Sequence, residues 1–126
     1  MENVESYIKD YFKSVDAEDA AAIASYFTVD GSFRFGNGPA AVGRQVIEQA
    51  NVDFFGMIGG LHHDIVGIWQ STYDEGNIIF IELAVTYTRK NGTQTDALPV
   101  VSQVRMKGDK MHDFRIFGDI TPVFEG

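Results

Sequence analysis

The sequence contains no cysteine, which excludes a disulfide scaffold, a thiolate zinc site and a thiol nucleophile. It is also poor in basic residues, with 10 Lys and Arg against 18 Asp and Glu and a formal net charge of -8. This charge repels phosphate backbones, and no segment concentrates basic side chains. We therefore expect no nucleic-acid partner.

Long apolar runs are absent as well. No run approaches the ~20 residues that span a bilayer. The first residues also lack the basic and apolar segments of a signal peptide. These two absences predict a cytoplasmic protein with no membrane partner.

Aromatic residues, in contrast, are abundant. The chain has 10 Phe, 5 Tyr and 1 Trp, and 44% of its residues are hydrophobic. A length of 126 residues is normal for one domain, and an aromatic-rich core can close a domain of this size without cross-links. We predict that residues 1–126 form a single domain.

Apolar residues recur at helical spacing in three segments of the first half. The first stripe is Val4, Tyr7, Ile8, Tyr11, Phe12 and Val15, the second is Ala20, Ile23, Ala24 and Phe27, and the third is Val46, Ile47, Ala50, Phe54 and Ile58. We expect Asp16 to cap the start of the second helix and Gly59-Gly60 to end the third.

Strand patterns fill the rest of the chain. A short strand is predicted over residues 28–35, and four longer ones over 62–72, 77–90, 96–107 and 111–117. Short turns join the four, and Asn91-Gly92 favours a type I′ hairpin. The order predicts an α+β fold in which a cone-shaped, curved antiparallel sheet, a short strand plus a four-stranded meander, wraps around three N-terminal helices and encloses a pocket.

Three stretches carry a resemblance to a known family. They are residues 29–35 with Gly43-Arg44 after them, residues 61–65 (LHHDI), and residues 113–122 (DFRIFGDITP). Together with the element order, they resemble the SnoaL-like branch of the nuclear-transport-factor-2-like superfamily, whose fold is also called cystatin-like and which includes ketosteroid isomerases and polyketide cyclases. The resemblance implies a small hydrophobic ligand and no cofactor. Relatives often carry Tyr where this chain has Phe117.

Asp119 is the first candidate for chemistry. Strand alternation places it on one face with Asp113, Arg115 and Phe117, and the resemblance implies that this face lines the pocket. A carboxylate at the mouth of an apolar cavity has a raised pKa and can act as an acid and base near neutral pH. The alternative is a turn residue that caps backbone N–H groups before Pro122.

Arg115 and His63 are the other two catalytic candidates. Arg115 either keeps Asp119 ionised or binds a substrate oxyanion, and the alternative is a surface pair with Asp113 or Glu82. Alternation allows only one of His62 and His63 to face the pocket, and the resemblance favours His63 as a base or hydrogen-bond donor. The alternative for His63 is a structural bond where helix meets strand.

A metal site is not expected. It would require His62, His63 and Asp64 together, with help from His112. Adjacent residues of a strand point in opposite directions, which is poor ligand geometry.

The predicted pocket lining combines aromatic and polar side chains. The ligand-binding candidates are Trp69, Phe117, Phe54, Tyr26, Glu82, Gln103 and Asn37. Glu82 interrupts an apolar strand and faces either the pocket or the outside of the sheet. Gln103 either binds a ligand or forms a cross-strand pair.

These candidates predict one of two functions. The first is acid/base isomerisation, cyclisation or dehydration of a small hydrophobic carbonyl compound. The second is a non-catalytic module that binds a hydrophobic ligand or mediates dimerisation. A homodimer through the outer sheet face is predicted in either case, because both alternating faces of the strand around residues 79–85 are too apolar for bare solvent.

Overall fold

The computed structural model describes residues 3–125, in which three α-helices pack against one curved sheet. The helices are α1 (Val4–Asp16), α2 (Ala20–Ser25) and α3 (Arg44–Phe55), and a 3₁₀ turn covers Thr121–Phe124. The strands are β1 (Phe27–Phe35), β2 (Ala41–Val42), β3 (Gly60–Tyr73), β4 (Gly76–Thr88), β5 (Leu98–Lys107) and β6 (Lys110–Gly118). The predicted α+β class is confirmed, and the two-residue β2 is an addition to it.

The sheet has the strand order β2-β1-β6-β5-β4-β3. Strands β3 to β6 form the predicted antiparallel meander. Strand β1 lies parallel to β6, with Ser32 opposite Asp113, and β2 adds to its other edge. The first strand of the chain therefore pairs with the last one, which brings the helices over the concave face of the sheet.

The helices begin as their capping residues dictate, with one correction. Asn3 caps α1 by accepting a hydrogen bond from the backbone N–H of Ser6. The cap of α2 is Asp19, whose carboxylate accepts from the N–H of Ala22. The prediction that Asp16 caps α2 is therefore wrong, because Asp16 is the last residue of α1.

The core lies between the helices and the concave face. The inward residues of β4 are fully buried, namely Ile79, Ile81, Leu83 and Val85. The apolar stripe of α1 packs on the same core as predicted. Outward residues of β4, among them Phe80 and Glu82, lie on the convex face.

A bulge in β3 reverses its alternation. Ile65 pairs with Leu83 but Gly67 pairs with Glu82, so Val66 is an extra residue in the strand. Beyond it, Trp69 lies on the convex face and is 57% exposed. A Cβ on Gly67 would overlap its ring, so the missing side chain makes room for the indole.

The Asn91-Gly92 hairpin also differs from expectation. The loop between β4 and β5 is longer than two residues, and within it Arg89 N–H donates to the carbonyl of Thr93. Only Gly92 of the dipeptide has a positive φ (88°), whereas a type I′ turn requires two such residues. Within residues 3–125, none of the helices combines the length and apolar character needed to cross a membrane.

Candidate functional site

A cavity of about 360 Å³ lies between the helices and the concave face of the sheet. Most of its wall is apolar. The lining residues are Tyr11, Phe12, Val15, Phe33, Phe35, Pro39, Ala41, Ala50, Asn51, Phe54, Phe55, Met57, Leu61, His63, Leu83, Tyr87, Val100, Ser102, Phe114, Ile116, Ile120 and Phe124. This volume is in the range of pockets that bind small organic molecules. Its few polar groups therefore determine what it can do chemically.

His63 is the cavity's basic group, and Asp16 holds it. His63 Nδ1 lies 2.6 Å from Asp16 Oδ1, and the His63 backbone N–H donates to Asp16 Oδ2 at 3.0 Å. The imidazole packs against Phe12 at an interplanar angle of 33°, with 4.8 Å between ring centroids, and the His63 side chain is only 8% exposed. An ionised Asp16 can only accept, so it favours the tautomer with hydrogen on Nδ1.

In this tautomer Nε2 carries the lone pair. No described residue forms a hydrogen bond to Nε2. Among the described residues, every side-chain N or O atom that is buried from solvent has a hydrogen-bond partner, so Nε2 is not one of these buried atoms. Nε2 is therefore accessible, and because His63 lines the cavity, it is available to a ligand there. His63 is thus a candidate general base whose ring orientation is fixed by a carboxylate bound to its other ring nitrogen.

Asp16 also contacts the neighbouring histidine. His62 Nδ1 lies 3.5 Å from Asp16 Oδ2, and His62 Nε2 lies 3.1 Å from Asp64 Oδ1. The His62 side chain is 66% exposed, so this side of Asp16 faces solvent. Across residues 3–125, no three of His, Asp and Glu are grouped so as to hold a metal ion.

Three hydroxyl groups open into the cavity. Tyr11, Tyr87 and Ser102 are buried and line it, and none of their hydroxyls bonds to a described residue. Burial raises the pKa of Tyr87 to about 12 and raises that of Tyr11 further. Both phenols therefore stay protonated at neutral pH and can donate hydrogen bonds to a ligand.

Comparison with known proteins identifies the fold. The family model of the SnoaL-like domain matches residues 8–114. The chain belongs to the SnoaL-like family. A search of curated proteins finds no match to this SnoaL-like protein.

Solved structures share the fold at low identity. A protein with a ketosteroid isomerase-like fold from Catenulispora acidiphila, in complex with trimethylamine, is 18% identical with a TM-score of 0.78, over 92% of this chain and 87% of that chain. ActVI-ORFA from Streptomyces coelicolor is 21% identical with a TM-score of 0.76, over 92% and 94%. An NTF2-like protein of unknown function from Burkholderia pseudomallei is 15% identical with a TM-score of 0.79, over 94% and 92%.

Asp119 of this SnoaL-like domain is not part of the cavity wall. It lies just beyond β6, is exposed, and accepts hydrogen bonds from the backbone N–H and the hydroxyl of Thr121. These bonds lower its pKa instead of raising it. The expected raised pKa is therefore wrong, and the geometry matches the alternative role of a turn cap.

The face of β6 that was expected to line the cavity is the convex one. The cavity is lined by the opposite set, Phe114 and Ile116. Arg115 is half-exposed and its Nε donates to Asp113 at 3.1 Å, which is the surface pair considered as its alternative. Phe117 lies on the same outer side and is also half-exposed.

Most other predicted lining residues also lie elsewhere. Trp69, Glu82 and Gln103 are on the convex face, Asn37 is in the exposed turn after β1, and Tyr26 packs edge-on against Tyr7 and Tyr11 outside the cavity. Of the ten predicted site residues, the cavity wall contains His63 and Phe54.

Sequence reasoning assigned no role at the cavity to five polar residues that the structure brings to or behind it, namely Asp16, Tyr11, Asn51, Tyr87 and Ser102. Tyr87 and Ser102 each interrupt the apolar inward set of a strand, and that was a usable signal. Asp16 gave no such signal, because its position in the last turn of α1, where the helix dipole disfavours a carboxylate, is known only from the structure.

Proposed function

We propose that this protein catalyses proton transfer on a small, uncharged, hydrophobic carbonyl compound, with His63 as the acid/base. The observation that carries the proposal is the 2.6 Å contact between Asp16 and His63 Nδ1, which leaves Nε2 available at the wall of an apolar cavity. Positioned acid/base groups of this kind contribute about 10²–10⁴-fold to rate.

The reaction begins when Nε2 removes a proton from the carbon next to the carbonyl group. The C–H electron pair forms a C=C bond, and the carbonyl oxygen becomes an enolate oxygen. The resulting imidazolium is stabilised by the carboxylate of Asp16. Return of the proton from Nε2 to a different carbon completes an isomerisation. When the proton on Nε2 is first replaced by one from solvent, return to the original carbon exchanges the carbon-bound hydrogen for solvent hydrogen.

Tyr87 supports the enolate. His63 pairs with Val85 across the sheet, and Tyr87 is two residues further along β4, so the two side chains are diagonal neighbours about 7–8 Å apart at the backbone. Because burial raises its pKa to about 12, the Tyr87 phenol remains a donor at neutral pH. A donor placed where negative charge develops stabilises the transition state.

The test is exchange of carbon-bound hydrogen in D₂O, followed by NMR. We expect the protein to speed the loss of the α-proton signals of 2-tetralone and the conversion of cyclohex-3-enone to its conjugated isomer. His63→Gln and Asp16→Asn are expected to lose this activity. The matched control is His112→Gln, because His112 bonds to Thr28 outside the cavity wall.

The outcomes separate catalysis from simple binding. Full exchange activity in His63→Gln would refute the proposed base. Binding of 2-tetralone without any exchange in the wild-type protein would instead support the second candidate function, a non-catalytic module for hydrophobic ligands. The apolar cavity with accessible hydroxyls favours a ligand under either function.

A homodimer through the convex face is part of the same proposal. Trp69, Val101 and Phe117 are each at least 40% exposed there. Val101 on β5 pairs with Phe117 on β6, and β4 separates Val101 from β3, which carries Trp69. Exposed apolar patches of this kind mark interaction surfaces. We expect Val101→Lys to convert a dimer to a monomer in sedimentation at micromolar concentration, and Val52→Lys on α3 to leave it intact. A monomeric wild-type protein would contradict the dimer. A cytoplasmic location remains part of this proposal.

A further inference from the structure

Ser102 is a polar residue whose neighbours in the sheet are apolar. The inward side chains near it on β5 are Val100, Val104 and Met106, and its neighbours across the sheet are Ile81 and Ile116. Ser102 itself is 1% exposed. Alanine or valine would fit this environment without a polar atom to satisfy.

The Ser102 hydroxyl also lacks a protein partner. No described residue hydrogen-bonds to it, although every described side-chain N or O that is sealed from solvent has a partner. Its remaining exposure is therefore on the cavity side, where Ser102 forms part of the wall. A buried hydroxyl without a partner is unfavourable, so the cavity's occupant is expected to supply one.

The position of Ser102 separates it from His63. His63 pairs with Val85, whereas Ser102 pairs with Ile81, which lies four residues earlier in β4, and it does so from the other side of that strand. Ideal strand dimensions place the two backbones about 10 Å apart across the sheet and about 13 Å apart along it. The curvature of the sheet shortens the direct path, but the two polar groups still lie at different ends of the cavity.

Tyr11 adds a second hydroxyl near the Ser102 end. Its ring lies 5.3 Å from that of Phe114, which is two residues from Ile116, the β6 partner of Ser102. The Tyr11 hydroxyl also has no described partner and opens into the cavity. This end of the cavity therefore offers one group that donates and accepts and one protonated phenol.

We propose that Ser102 is a second polar anchor and that the ligand is an apolar framework with an oxygen function at each end. The carbonyl lies at His63 and Tyr87, and a hydroxyl or second carbonyl bonds to Ser102, with Tyr11 beside it. The position of the carbonyl rests on the proposed function, whereas the Ser102 anchor rests on its own burial and missing partner. Ser102 is thus a specificity-determining residue.

The test compares 2-tetralone with 6-hydroxy-2-tetralone, which has an added hydroxyl far from its carbonyl. We expect the wild-type protein to bind the hydroxyl compound about 2- to 12-fold more tightly by calorimetry, the worth of one neutral hydrogen bond. Ser102→Ala should abolish this preference without weakening 2-tetralone. Ser71→Ala, an exposed serine of β3, is the matched control. Tyr11→Phe should reduce the preference.

Each contrary result is informative. Equal binding of the two ketones by the wild-type protein, an equal loss for both in Ser102→Ala, or no binding of either would overturn the Ser102 anchor. Retained preference for the hydroxyl compound without any hydrogen exchange would overturn only the proton-transfer proposal, because the binding comparison does not depend on catalysis.

Discussion

Asp16 and His63 are 47 residues apart in sequence and are joined by two hydrogen bonds, one to the imidazole and one to the backbone. The contact ties the last residue of α1 to the start of β3. A carboxylate at the C-terminal end of a helix costs about 0.3–1 kcal/mol through the helix dipole. The two bonds from His63 offset that cost and fix the imidazole at the cavity wall.

Replacement of Asp16 tests this relationship directly. We expect Asp16→Asn to lower the free energy of unfolding by about 1.5–3 kcal/mol, the worth of a hydrogen bond to a charged group. In NMR spectra of the imidazole nitrogens, His63 should lose its preference for hydrogen on Nδ1. Asp19→Asn is the control, because Asn caps helices as well as Asp does. An unchanged His63 tautomer in Asp16→Asn would show that the carboxylate does not orient the ring.

Alkaline unfolding should report on Tyr87. Burial raises its folded pKa from 10 to about 12, so the folded state favours the neutral phenol. The corresponding stability is fully present below pH 10 and is lost as the pH rises through 12. At the alkaline end this amounts to about 2–3 kcal/mol. In urea unfolding at several pH values, Tyr87→Phe should lose less stability than the wild-type protein over this interval, and an identical loss would contradict the burial of the phenol.

Acid conditions should reveal Asp119 as a turn cap. Hydrogen bonds from Thr121 lower its folded pKa below the ordinary 3.8, so its contribution is present above that value and is lost as the pH falls through the folded pKa. Asp119→Ala should therefore lower the melting temperature at pH 7 and have a smaller effect near pH 2. Asp96→Ala removes an exposed carboxylate with no described partner and should change little at either pH. A pH-independent effect of Asp119→Ala would contradict the cap.

Two inward residues of β4 should differ in their response to truncation. Ile79 is buried in solid core, whereas Leu83 lines the cavity. Ile79→Ala creates a new void and should cost stability in the upper part of the range of about 2–5 kcal/mol. Leu83→Ala only enlarges an existing space and should fall in the lower part. Val29→Ala, at a 74% exposed position of β1, should change the stability by about 0.5 kcal/mol or less in urea unfolding. A larger loss for Leu83→Ala than for Ile79→Ala would contradict the cavity's position.

Element order was accessible from the sequence because hydrophobic periodicity is strong in both halves of the chain. The α1 stripe and all four meander strands occur close to their expected positions. Alternation along β6 was also predicted correctly, with Arg115 and Phe117 on one side and Phe114 and Ile116 on the other. The prediction that the side with Arg115 and Phe117 lines the cavity was wrong. The charged residues of the first set, Asp113 and Arg115, were the physical indication that it faces outward.

The remaining differences depend on tertiary structure. The extra residue Val66 in β3 moves Trp69 to the convex face. Gly67 inside the strand pattern is a signal for such a bulge, which strict alternation from His63 to Trp69 leaves out. The bond from His63 to Asp16 depends on how α1 lies against β3, which periodicity does not specify. Strand patterns therefore located the candidate base, whereas its supporting carboxylate required the three-dimensional structure.

The position of the Trp69 indole over Gly67 determines which events tryptophan fluorescence can detect. Trp69 is the protein's only tryptophan, and it lies on the opposite side of the sheet from the cavity. Its fluorescence should therefore report on association of two convex faces through a blue shift with rising concentration. Ligand entry into the cavity should leave that emission almost unchanged, so a titration followed at this wavelength would miss a compound that binds well.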